Sequence, residues 1–170
     1  GGPRNLKNAI VVLFLDMFYE EMKNMVKVPP RQEDGVSIRN ISSYLLVDEA
    51  SNIMRYDFEV LESLLKEGRE FGVGVILASQ FLSHFKSAKT NFAEALSTWF
   101  VHKVPNVTAK ELSNLGIVGA DAMLADRIKT LQVHQSLYKS DLSPAGFVAE
   151  QPFWRLVADE GLASYRKACE

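Results

Sequence analysis

The feature that most constrains this chain is a short apolar run ending on two acids: Tyr44-Leu45-Leu46-Val47, then Asp48-Glu49. The run has no polar alternation, which suits a strand buried on both faces, as in a parallel sheet. A second such run covers residues 73–78 and ends at Ser79-Gln80. Between them the spacing predicts a helix over residues 57–70. It carries Phe58, Leu61, Leu64 and Leu65 on one face and Glu59, Glu62 and Lys66 on the other, with Gly72 placed as its C-terminal cap. Strand, helix and strand in this order imply a right-handed crossover and a parallel sheet covered on both faces. In such sheets ligands bind beyond the carboxyl ends of the strands.

The rest of the chain supplies further elements. Residues 6–27 read as a helix, with Asp16, Glu20, Lys23 and Lys27 as a wet stripe and Leu6, Ile10, Leu13, Met17 and Met22 on the dry side. The cluster Ile10-Val11-Val12 keeps a strand reading open there, and Pro29-Pro30 ends the element. Residues 31–40, polar and containing Gly35, read as a loop. Residues 92–96 read as helical and residues 98–104 as a third strand stopped by Pro105. Thr108 and Glu111 have capping-box spacing, so a helix should start there and end at Gly116. A helix over 119–129 follows, then a hairpin of residues 131–139 and 145–151 around Asp141-Leu142-Ser143-Pro144, and a helical tail over 158–168. The expected fold is α/β in three layers: one mainly parallel sheet with a C-terminal β-hairpin and helix, built as a single domain over residues 1–170.

Composition narrows the function classes. Lys and Arg number 19 against 21 for Asp and Glu, giving a net charge of −2 and a pI of about 6.0. A dedicated nucleic-acid-binding domain would be strongly basic, so any DNA contact must be local or made by other parts of an assembly. The longest apolar run, residues 9–15, is too short to span a bilayer. The single cysteine, Cys169, fits a reducing, cytoplasmic setting. His84, His102 and His134 lack ligand spacing, and Ser43, Ser79 and Ser83 lie outside any Gly-x-Ser-x-Gly elbow. A two-metal nuclease would need more acids and a lysine beside Asp48-Glu49.

The strand ends carry the chemistry. Asp48 could hold Mg²⁺, largely through its waters, and Glu49 could orient or deprotonate a water attacking a γ-phosphate. The amide of Gln80, at the tip of the neighbouring strand, could reach a phosphate oxygen or that water. The plainer alternative makes Asp48-Glu49 a solvated strand end and Gln80 an ordinary loop residue.

Tyr44-Leu-Leu-Val-Asp-Glu-Ala50, with Leu65-Lys-Glu-Gly-Arg-Glu-Phe-Gly-Val-Gly-Val-Ile-Leu-Ala-Ser-Gln80, resembles the HerA/FtsK group of P-loop ATPases, which also includes conjugation ATPases. Ser51-Asn52-Ile53-Met54 and Trp99-Phe100-Val101-His102-Lys103-Val104 look most like the ATPase component of phosphorothioation-dependent DNA restriction systems. The resemblance implies Asp48 as the Walker B aspartate, Glu49 as the catalytic glutamate, Gln80 as the polar sensor, and Arg69 as an arginine reaching a phosphate or a neighbouring subunit. Equally, Arg69 could be a surface partner for Glu62 or Glu70. The resemblance further implies ATP and Mg²⁺ as cofactors, a hexameric ring around DNA, and other restriction-system subunits as partners. The family's Gly-x-x-x-x-Gly-Lys-[Ser/Thr] loop is missing here. The chain is therefore expected to be the C-terminal portion of a longer ATPase, joined to an upstream part that holds the phosphates, and to bind ATP weakly or not at all alone. Competing expectations are a non-hydrolysing assembly platform and a conjugation or secretion ATPase. Trp154, beside Pro152-Phe153, is expected to form a docking patch.

Overall fold

The computed structural model describes residues 2–54, 58–86 and 91–152, with side chains from residue 6 onward. The chain forms two units, Gly1–Leu96 and Ser97–Glu170. The expected tail helix, Cys169 and the Trp154 patch lie outside the described residues.

The first unit opens with helix α1 (Gly2–Lys23) and a small hairpin, β1 (Arg31–Glu33) and β2 (Val36–Ile38). It continues through β3 (Ser43–Val47), α2 (Ser51–Met54), α3 (Glu59–Glu67), a 3₁₀ turn over Gly68–Phe71 and β4 (Val73–Leu77). Two further 3₁₀ turns, Leu82–Phe85 and Phe92–Ala95, complete it. As the crossover predicts, β3 and β4 pair in parallel, from Ser43 opposite Val73 to Val47 opposite Leu77. The alternation of side chains along each strand puts Leu45, Val47 and Val73 on the inner face. There Leu45 and Val73 pack with Leu15 and Met22 of α1 and with Leu64 and Phe71, flanked by Val11, Phe18, Tyr19, Ile53 and Val60. The Tyr19 hydroxyl donates to Glu67 at 2.9 Å, and that bond to a carboxylate raises the phenol's pKa above its ordinary value. Lys27 donates to Glu70 at 2.6 Å and holds that carboxyl below its ordinary range. The Lys27–Glu70 contribution is therefore present above the ordinary glutamate pKa and is lost as pH falls through the lowered one.

Gly72 joins these parts. It caps the 3₁₀ turn in the left-handed region, at φ +72°. Its carbonyl accepts from the backbone N–H groups of Ser42 and Ser43, at 2.8 and 3.3 Å, and from the Ser42 hydroxyl. A Cβ here would lie 3.0 Å from the Val28 side chain and 3.1 Å from the Asn40 carbonyl oxygen. Gly72→Ala is expected to destabilise the first unit by about 1–3 kcal/mol, read as a lowered urea midpoint with an unchanged slope.

Three expectations need correction. The chain does not build one mainly parallel, RecA-like sheet. It has three separate small sheets: antiparallel β1–β2, parallel β3–β4, and an antiparallel three-stranded sheet in the second unit. Nor is the parallel pair covered on both faces, since Tyr44 and Leu46 are each 65% exposed and Ile76 48%. The Tyr44 ring lies across Gly74 on that open face, where a Cβ would come within 2.6 Å of it. The second correction concerns α1, which is helical and buries Met22 as expected, but otherwise turns a different stripe inward. Leu15 is buried with Met22, whereas Leu6, Ile10, Leu13 and Met17 face solvent. Third, the expected loop at 31–40 is a hairpin. Asp34 (φ 51°) and Gly35 (φ 79°) form its two-residue turn, the pairing of positive φ values that right-twisted strands favour.

In the second unit β5 (Thr98–Val101) pairs antiparallel with β6 (Gln135–Ser140), which pairs antiparallel with β7 (Ser143–Ala149). The expected third parallel strand is therefore the edge of an antiparallel meander. Its burial alternates, Trp99 and Val101 in, Thr98 and Phe100 out, as an antiparallel strand with one open face requires. Between β5 and β6 lie α4 (Ala109–Asn114) and α5 (Ala122–Lys129). The Thr108–Glu111 capping box forms as the spacing predicts: the Thr108 hydroxyl accepts from Glu111 N–H at 3.2 Å, and Glu111 accepts from Thr108 N–H at 2.9 Å. Gly116 turns the chain beyond α4 at φ +72°. Leu112, Leu115, Ile117, Ala125, Ile128 and Leu137 are buried in this unit.

Candidate functional site

The β3–β4 pair delivers its polar residues at one end. Beyond the last paired residues the ladder continues: Ala78 N–H donates to Val47 O at 2.9 Å, and Ala50 N–H donates to Ala78 O at 2.8 Å. These two bonds fix the turn Asp48-Glu49-Ala50 against the chain leaving β4. Glu49 adopts φ +50°, a region that side-chain-bearing residues enter at a cost. Two hydrogen bonds support it. Asp48 Oδ1 accepts the Glu49 backbone N–H at 2.8 Å, and Glu49 O accepts from Asn52 N–H at 2.9 Å as α2 begins.

Across the strand tips, Gln80 Nε2 donates to Glu49 Oε1 at 2.7 Å. The register that places Val47 beside Leu77 brings the two side chains together, although 31 positions separate them in sequence. Asp48, Glu49 and Gln80 are all exposed. Among the described residues, then, the pair faces water and nothing shields it.

Arg69 is not part of this cluster. It lies exposed in the 3₁₀ turn before β4, whereas Gln80 follows the strand's other end. Five residues of strand separate those ends by roughly 16 Å. Glu70, next to Arg69, pairs instead with Lys27.

The donor set suits a hard cation held by few protein ligands. No group of three or more His, Cys, Asp and Glu residues that could cage a metal occurs among the described residues. Mg²⁺ in nucleotide sites is commonly held by one or two carboxylates together with substrate phosphates and water. One oxygen of Asp48 carries the Glu49 N–H bond, and the side chain is exposed.

The sequence reading missed two features of this cluster: the left-handed backbone of Glu49 and the bond by which Asp48 supports it. A turn of acid followed by acid carries no distinctive signal for either. It also missed how Phe81 continues the chain. Phe81 is 56% exposed and stacks edge-on against His84, ring centroids 5.2 Å apart. In the second unit Arg127 lies over the Phe147 ring at 3.8 Å, beside a groove lined also by Thr130, Leu131 and Gln135. Among the described residues no acid or histidine lines that groove.

No protein-family model and no curated protein matches the chain. With the sheets divided as described, the resemblance to HerA/FtsK-type P-loop ATPases does not hold. The narrower likeness to the phosphorothioation-dependent restriction ATPase falls with it. The local strand–helix–strand unit and its polar tips stand without that family. No helix among the described residues is long and apolar enough to cross a membrane.

Proposed function

We propose that this chain carries the acid-and-amide half of an ATP-hydrolysing site, in a cytoplasmic protein that couples hydrolysis to translocation or restriction of DNA. The observation that supports the reading is the 2.7 Å bond from Gln80 to Glu49 at the ends of two in-register parallel strands. Glu49 is the residue to orient the attacking water and accept its proton. Gln80 fixes one carboxylate oxygen, leaving the other for that water. Asp48 would hold Mg²⁺, which when bound supplies charge neutralisation at the phosphates. The groups that would cradle the phosphates lie outside these two strand tips. Arg69, at the opposite end of β4, is suited to a neighbouring subunit of a homo-oligomer, a hexamer in this reading, rather than to its own site. The exposure of Asp48, Glu49 and Gln80 accords with a site completed by other segments, because phosphoryl transfer gains from exclusion of water.

A second reading is favoured by a different observation. The outer side of α1 and the open face of β3–β4 are both apolar and exposed, as on an assembly platform that binds partner subunits without hydrolysis. The deciding experiment is steady-state ATP hydrolysis by the full-length protein, with and without duplex DNA. Mg²⁺-dependent turnover stimulated several-fold by DNA is expected. No turnover, with partner binding retained, would establish the platform instead.

A further inference from the structure

Strand β7 lies at one margin of its sheet, which runs in the order β5-β6-β7. The 2.7 Å bond from Glu150 N–H to His134 O continues the β6–β7 ladder one step beyond Gln135 and Ala149. In an antiparallel pair, residues that exchange backbone bonds alternate with residues that do not. Val148, opposite Ser136, therefore turns its N–H and C=O toward β6, as Glu150 does, whereas Phe147 and Ala149 turn theirs outward. Among the described residues no strand takes up that edge. Natural sheets blunt a free edge with charge or proline. Pro144 stands near the start of β7, but residues 146–149, Gly-Phe-Val-Ala, carry neither.

The groove beside this edge has the end of α5 as its other wall, through Arg127, Thr130 and Leu131. It encloses about 280 Å³. That is below the roughly 300–1,000 Å³ of small-molecule cavities, and it suits the side chains of a strand laid along β7. Charge indicates what such a strand carries. Arg127 is the one charged residue lining the groove, among those described. Its guanidinium lies 3.8 Å from the centre of the Phe147 ring, and an arginine held over an aromatic face still offers its N–H fork to a carboxylate. Its chain neighbour Asp126 pairs with Lys129 at 2.8 Å, and Arg127 has no acid partner among the described residues. Nor is Arg127 needed to close the helix, because the Thr130 hydroxyl donates to the carbonyls of Asp126 and Arg127 at 3.3 and 2.9 Å. Gln135 Oε1 accepts from Gln132 N–H at 3.0 Å, which leaves its Nε2 donor to a ligand.

We infer that the β7 edge and its groove bind an extended peptide of another protein as a fourth strand, with an acidic side chain beside Phe147 reaching Arg127. Phe147 and Ala149 supply the main-chain bonds, and every second side chain of the peptide enters the groove. The inference is independent of nucleotide hydrolysis.

Amide NMR of the 170-residue chain, titrated with a blocked heptapeptide, tests it. The probe has threonine at odd positions, valine at the second and sixth, and glutamate at the fourth, so that valine, glutamate and valine share one face. The expected result is a saturable shift of the Phe147 and Ala149 amides with Kd on the order of 0.1–1 mM, as a few main-chain bonds and one charge pair allow. Exchanging the glutamate for lysine should weaken binding at least about tenfold. Methylating the three central backbone nitrogens of the probe should abolish it, because a strand cannot pair without its donors. Arg127→Glu should reverse the preference between the glutamate and lysine probes, which loss of the Phe147 contact alone would not do. The three probe readings use the wild-type chain, so they decide the matter even where the variant fails to fold. No shift at the Phe147 and Ala149 amides up to about 5 mM probe overturns the proposal, as do saturable shifts confined to other residues. So does a methylated probe that binds as well as the parent, or glutamate and lysine probes of equal affinity.

Discussion

Glu49→Gln is expected to lower ATP turnover by the full-length protein about 10²–10⁴-fold, the usual worth of a positioned general base, while nucleotide affinity stays within a few-fold. The substitution is nearly isosteric. The Gln80 amide can still donate to the new side-chain oxygen where it now meets Glu49 Oε1 at 2.7 Å. The backbone bond from Glu49 N–H to Asp48 survives too, because it uses no atom of the Glu49 side chain. What disappears is a charge and a proton acceptor, so a selective loss of turnover isolates that chemistry. Parallel measurements of nucleotide binding and multiple-turnover hydrolysis separate the two effects. Equal rates in wild type and variant would reduce Asp48-Glu49 to an exposed strand end and leave the platform reading in possession.

The largest stability effect is expected from Leu64→Ala, about 2–5 kcal/mol, the range for truncating a fully enclosed leucine. Leu64 is 0% exposed and packs in one cluster with Leu15 and Met22 of α1, Phe71, and Val73 of β4. Removing its side chain therefore withdraws contacts from two helices and a strand together. Leu46→Ala supplies the contrast. It lies on β3 only 18 positions earlier but points to the open face and is 65% exposed, so its truncation should cost less than about 1 kcal/mol. Urea unfolding of both variants checks the pair. Similar losses would mean that α1 and α3 do not close over the inner face of β3–β4.

The elements legible in the sequence were those set by neighbours along the chain. Thr108 and Glu111 make their box three residues apart, and Gly72 and Gly116 take the left-handed turns that end their segments. The apolar runs at 44–47 and 73–77 became strands, and one crossover was enough to bring Glu49 and Gln80 together. What failed depended on distant partners. Thr98-Trp99-Phe100-Val101 is as apolar as the first two strands, and composition does not reveal whether such a run will pair parallel or antiparallel. Its partner, β6, lies nearly 40 residues on. In α1 the difficulty was degeneracy, because apolar residues occupy both sides and a 3.6-residue period fits either stripe. The β1–β2 hairpin is different: Asp34-Gly35 is a strong turn signal, obscured by the polar residues around it. The positive φ of Glu49 had no local marker at all.

That backbone has an evolutionary consequence. Glycine enters the left-handed region freely, and asparagine more readily than glutamate. If folding alone were selected, position 49 would drift toward those residues and the first unit would become more robust. Under the proposed function, glutamate here sets a conformational cost against the use of its carboxylate, so substitutions that relieve the backbone are expected to raise stability and lower turnover together.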